Sequence, residues 1–116
     1  MTRNPDIELL VNGRATRGYL AQPDDPTPAP GVVVIQEWWG LNDHMRDIAD
    51  RLAGEGFVAL APDLYYGETA TEPDEARKLA MALEYPDALR VIQTAVDHLI
   101  ARDDVAPKRV GLVGFC

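Results

Sequence analysis

The residues best suited to chemistry stand at the ends of apolar runs. Val110-Gly111-Leu112-Val113 leads into Gly114-Phe115-Cys116, so the single cysteine follows a buried-type strand. A thiol there is a candidate nucleophile, because the small Gly114 leaves room for a sharp turn that lifts the side chain out of a sheet. Taken alone, the tripeptide equally describes an inert thiol packed as a small apolar group. A free thiol, with a pKa near ~8.5, is only a few per cent thiolate at neutral pH, so attack on a carbonyl needs a base or a pKa-lowering environment. Glu37 is a second candidate, an acidic residue directly after Val32-Val33-Val34-Ile35-Gln36 and directly before Trp38-Trp39-Gly40, at a strand end where open α/β sheets bind ligands. A carboxylate between a buried strand and two indoles either finds a donor or holds a proton. It could also reach solvent or cap a backbone amide.

Trp38 and Trp39 are open to two readings, ordinary packing or the wall of a pocket for an apolar or planar substrate. Asp63, after Ala61-Pro62, is expected to hold its own loop through backbone hydrogen bonds. His44 is expected to be exposed or packed near the cleft, and His98 to lie on the surface.

Composition narrows the classes further. The chain has 116 residues, 47% of them hydrophobic and 26% charged, and a net charge of -8. It is therefore expected to pack as a globular protein. The carboxylate excess argues against a nucleic-acid or anionic-membrane partner, because no basic stripe exists to neutralise phosphates. No stretch approaches the ~18 apolar residues of a membrane span, and residues 1–6 lack the apolar core of a signal peptide, so a cytoplasmic location is expected. One cysteine and two histidines far apart in sequence do not make a four-ligand metal site, and no metal or cofactor is expected.

These residues must be positioned by strands and helices. Ile7, Leu9 and Val11 alternate as in a half-buried strand, and Asn12-Gly13 predicts a tight turn into an antiparallel return over residues 14–21. Four prolines make residues 22–31 an exposed connection. Residues 31–36 and 57–61 are continuous apolar runs, as expected for parallel strands covered on both faces. Asn42 is placed to cap a helix in which Met45, Ile48, Ala49, Leu52 and Ala53 form the apolar stripe, with Gly54 and Gly56 at its end. A short helix is predicted over residues 72–83 with Pro73 in its first turn. A longer one follows from Pro86, with Leu89, Ile92, Ala95, Val96, Leu99 and Ile100 as its stripe, ended by Asp103-Asp104 and Pro107. Residues 109–115 read as a third buried strand. Alternation of strands with amphipathic helices predicts a mostly parallel sheet with an antiparallel edge.

A buried strand with nothing after it is uncovered, and leaving Val110, Leu112, Val113 and Phe115 open forgoes ~1.5–3 kcal/mol for each. The chain is therefore expected to be the N-terminal part, residues 1–116, of a single longer domain whose remainder beyond Cys116 is its partner.

Three segments, 34–42 (Val-Ile-Gln-Glu-Trp-Trp-Gly-Leu-Asn), 61–67 (Ala-Pro-Asp-Leu-Tyr-Tyr-Gly) and 110–116 (Val-Gly-Leu-Val-Gly-Phe-Cys), occur in an order and at spacings that resemble the dienelactone hydrolase family. That family is the cysteine branch of the α/β-hydrolases, and the resemblance covers nearly all of the chain. It implies an α/β-hydrolase fold with helices on both sheet faces and an antiparallel N-terminal hairpin. It also implies hydrolysis of a small ester or lactone through an acyl-thioester on Cys116. Glu37 then corresponds to the glutamate that contacts the resting thiol and helps generate the thiolate. The backbone amide of Trp38 corresponds to one oxyanion-hole donor, the other coming from the residue after Cys116. Arg77 lies where members that hydrolyse dienelactones carry an arginine for the substrate carboxylate, although Glu75-Ala76-Arg77-Lys78 also reads as a solvated helix face. The triad Asp and His are expected beyond Cys116, which excludes His44 and His98 from that role. Residues 1–116 alone are thus expected to be inactive. The readings from other classes are a noncatalytic binding or redox-sensing module with Cys116 oxidised or liganded, and a fragment without activity.

Overall fold

The structure, a computed structural model, describes residues 4–115. Cys116 lies outside them. The elements in chain order are β1 (Ile7–Val11), β2 (Arg14–Ala21), β3 (Ala29–Ile35), α1 (Asp43–Gly54), β4 (Val58–Pro62), α2 (Pro73–Ala82), α3 (Tyr85–Ile100) and β5 (Val105–Gly114).

Asn12 and Gly13 both take positive φ, the signature of the turn their dipeptide predicts, and β1 pairs antiparallel with β2 through Val11 opposite Arg14. The strands form one five-stranded sheet in the order β1-β2-β4-β3-β5. The sheet is mixed. β3 pairs parallel with β4 and β5, while β2 joins β4 antiparallel, with Gly18 opposite Pro62.

Side chains alternating along β3 and β4 are buried on both faces. Val32, Val34, Ala59 and Ala61 pack with Met45, Ala49 and Ala53 of α1. Val33, Val58 and Leu60 pack with Ala95 and Leu99 of α3. Helices on opposite faces account for the unbroken apolar runs of these strands. Asn42 caps α1 as its sequence predicts, its side-chain oxygen accepting from the Met45 amide at 3.1 Å. Asn42→Ala should therefore cost about 1 kcal/mol of stability by urea titration, since an orphan amide loses its acceptor.

Several boundaries differ from the sequence reading. β3 begins at Ala29, whose amide donates to the Asp104 carbonyl at 2.9 Å. β5 begins at Val105 rather than at residue 109 and contains Pro107, which had been expected to lie outside a strand. The reason is a break in the ladder: Ala29 faces Val105 and the next pair is Gly31 with Val110, so residues 106–109 oppose no ladder position that needs a proline N–H. The stripe of α3 is also rotated. Ala88, Val91, Ala95 and Leu99 are buried, whereas Leu89 is 65% exposed, because the small Ala88 packs with Val11 and Leu64. His98, expected on the surface, is half-buried. Its Nε2 is covered and has no hydrogen-bond partner among the described residues, and burial, then the Arg102 charge, lowers its pKa.

Among the described residues β5 pairs with β3 alone, and Leu112 and Phe115 are 59% and 47% exposed with Val110 and Val113 partly covered, as expected of a strand with nothing packed after it.

Candidate active site

Two parallel strands end side by side under the candidate residues. β3 stops at Ile35, and the backbone then turns, with the Gly40 amide donating to the Glu37 carbonyl at 3.1 Å. β4 stops at Pro62, and the loop after it folds back onto this turn, the Ala70 amide donating to the Trp39 carbonyl at 3.0 Å. Gln36, unassigned from sequence, ties the strand ends together by accepting the Leu64 amide on its Oε1 at 2.8 Å. The C-terminal edge of a parallel sheet is where open α/β folds bind ligands.

Asp63 does what its position predicts and more. It is fully buried, and its carboxylate accepts from the amides of Tyr65 at 2.9 Å and Gly67 at 2.8 Å and from Arg17 Nε at 2.8 Å. Charge-assisted acceptance of two loop amides holds residues 63–67 in one shape. Next to it, burial pushes the Tyr65 phenol pKa up, with a hydrogen bond from Gln36 opposing.

Glu37, Trp39, Asn42, His44, Ala70 and Thr71 line an open depression of about 460 Å³. The Glu37 side chain is 22% exposed, and His44 Nε2 lies 3.6 Å from its Oε1. The sequence left this carboxylate a donor, a held proton or solvent; the structure sets a histidine seven positions later at ion-pair distance, looser than a hydrogen bond. The sequence reading leaves His44 exposed or packed near the cleft; its pairing with Glu37 depends on how α1 packs on β3 and β4. Trp38 does not line the depression; it is 43% exposed and meets Trp39 edge-on, with ring centroids 5.4 Å apart. Arg77 lies on the exposed face of α2, 3.9 Å from Asp74, and is not among the lining residues either. A second groove, of about 380 Å³, lies between the residue 64–68 loop and α2 and α3, where Arg14 stacks on the Tyr66 ring at 3.6 Å. Among the described residues no group of three or more His, Cys, Asp or Glu could hold a metal, and no helix is long and apolar enough to cross a membrane.

Parallel β4-β3-β5, an antiparallel hairpin on one side, and α1 and α3 on opposite faces are the architecture of the α/β-hydrolase class. A solved dienelactone hydrolase-like promiscuous phosphotriesterase from metagenomic libraries superposes with a TM-score of 0.82 at 30% identity, covering 97% of this chain and 48% of its own. The chain belongs to the dienelactone hydrolase family, whose profile matches residues 16–116. Protein usf of Aquifex pyrophilus is 42% identical over 118 residues, and the Aquifex aeolicus protein named "Putative carboxymethylenebutenolidase" is 40% identical over 116 residues. Each alignment covers 95% of this chain and 49% of the relative, so the chain spans about half the length of the curated relatives it matches.

Proposed function

We propose that this chain carries the nucleophile of a hydrolase that acts on small esters or lactones through Cys116. The observation that supports the reading is the register of the parallel β3–β5 ladder, in which Ile35 faces Gly114. Glu37 follows Ile35 by two residues, and Cys116 follows Gly114 by two. β3 and β5 thus end level, with the carboxylate and the thiol each two residues further along the chain.

The Cys116 thiol gives its proton to the Glu37 carboxylate, and the thiolate sulfur bonds to the carbonyl carbon. The Trp38 amide and the amide after Cys116 receive the developing oxyanion. Collapse expels the alkoxide, which takes the proton back from the Glu37 carboxyl, and leaves an acyl-thioester. Water activated by a histidine from beyond Cys116, oriented by an aspartate, then cleaves the thioester and restores the thiol. Trp39 would form the wall for the acyl group with Trp38 edge-on behind it, and Arg77 would have to turn from the α2 surface to meet a substrate carboxylate. The enzyme so described needs no cofactor or metal and works in the cytoplasm without nucleic-acid or membrane partners.

The test uses the chain continued through the second half that its relatives possess, with p-nitrophenyl acetate as substrate. Glu37→Gln should lower kcat/KM about 10-fold, near 1.4 kcal/mol of transition-state stabilisation, with an unchanged far-UV spectrum. Rapid quenching and peptide mass spectrometry should find the acetyl group on Cys116. Turnover with acetyl on another residue, or an unchanged kcat/KM in the glutamine variant, would refute the assignment.

A further inference from the structure

The backbone around Glu37 is fixed, yet nothing in that backbone orients its carboxylate. The turn is closed by the Gly40 amide on the Glu37 carbonyl, and Trp39 is held by Ala70. The side chain beyond Cα still has three torsions, and a base that must meet one thiol gains from being held in one of its rotamers. Among the described residues, one polar side chain lies within ion-pair distance of that carboxylate: His44, with Nε2 3.6 Å from Oε1.

His44 is itself well placed. Asn42 anchors the start of α1 through the Met45 amide, so the first helical turn has a defined position relative to the end of β3. The imidazole is 64% exposed, so burial contributes little to holding it in place. It shares the depression with Glu37 and Trp39. At 3.6 Å the contact is looser than a hydrogen bond, and a small rotation of either side chain closes it. A neutral imidazole protonated at Nε2 and an imidazolium both have the donor for this.

We propose that His44 is a positioning residue that holds the Glu37 carboxylate at the rim of the cleft, in the orientation from which it meets the nucleophile. This rests on the hydrolase reading above. His44 acts through Glu37 and touches neither thiol nor acyl group, so its loss should fall on kcat and spare KM.

The experiment uses the same continued protein with 13C-labelled histidine. His44→Ala should lower kcat about 10-fold with KM within about 2-fold, the pattern of an interaction used in the transition state rather than in substrate binding. His44→Gln, whose amide nitrogen sits near the place of Nε2, should recover kcat to within about 2-fold of the parent. Separately, the 13C ring signals of His44 should differ between Glu37→Gln and the parent at one pH, because the carboxylate beside Nε2 has gone. Unmoved ring signals overturn the pair whatever the activities are. Moved signals with kcat untouched in His44→Ala, while Glu37→Gln is slow, overturn the positioning role. A raised KM in both His44 variants would make it a substrate contact, which also overturns it. Full activity in Glu37→Gln strikes the hydrolase reading instead, and the ring signals then report the pair alone.

Discussion

Asp63→Ala should lower the folding stability by about 3 kcal/mol, read from the urea midpoint at constant m-value. The carboxylate is fully buried and serves three donors at once, the Tyr65 and Gly67 amides and Arg17 Nε, at 2.8–2.9 Å. Truncation leaves two loop amides without an acceptor, each at about 1–3 kcal/mol if water does not reach them. Arg17 is less exacting. It is 35% exposed and keeps Asp6 at 3.5 Å, so the full penalty of a stranded buried charge does not apply. Asp63→Asn keeps the volume and one acceptor oxygen and should cost about half as much. A loss below about 1 kcal/mol in the alanine variant would mean that the loop is held by its packing instead. The effect should extend to the site, because residues 63–71 form one wall of the depression through Ala70 and Thr71.

Gly40→Ala should cost about 2–4 kcal/mol, through two separable terms. Gly40 has φ +97°, a conformation that charges any L side chain about 1–2 kcal/mol. A Cβ there would also lie 2.7 Å from the Glu68 carbonyl oxygen and 3.2 Å from the Tyr65 ring, so the two loops would have to part. Parting them strains the bond from the Ala70 amide to the Trp39 carbonyl. Gly67 supplies the control, since it has φ +100° but meets nothing within 4 Å. Gly67→Ala should lose only the backbone term. Thermal melts of both variants, with tryptophan fluorescence as reporter of the Trp38–Trp39 contact, give the steric term by difference. Equal losses at the two positions would dismiss the close loop approach.

Much of this was legible along the chain because it depends on neighbours in sequence. Asn12-Gly13 determines its own turn, Asn42 reaches an amide three residues away, and the unbroken runs at residues 32–35 and 58–61 require cover on both faces whatever provides it. Asp63 could be assigned to its loop because two of its donors are two and four residues on. Motif order was sufficient to point to the dienelactone hydrolase family.

What failed to show in the sequence depends on partners chosen elsewhere in the fold. Pro107 is admitted to β5 because the ladder with β3 skips residues 106–109. Leu89 is exposed because the rotation of α3 is set by what packs on Ala88, not by the hydrophobicity of position 89. The pairing of Glu37 with His44 is of the same kind: residue types and the capped helix are local, but the 3.6 Å contact exists because α1 packs on β3 and β4 through Met45, Ala49 and Ala53. The sequence by itself determined turns, caps, strand character and family, since these follow from covalent neighbours and side-chain chemistry. The tertiary structure alone decided register, helix rotation and the partners of each polar group, because those are set by which surfaces exclude water together.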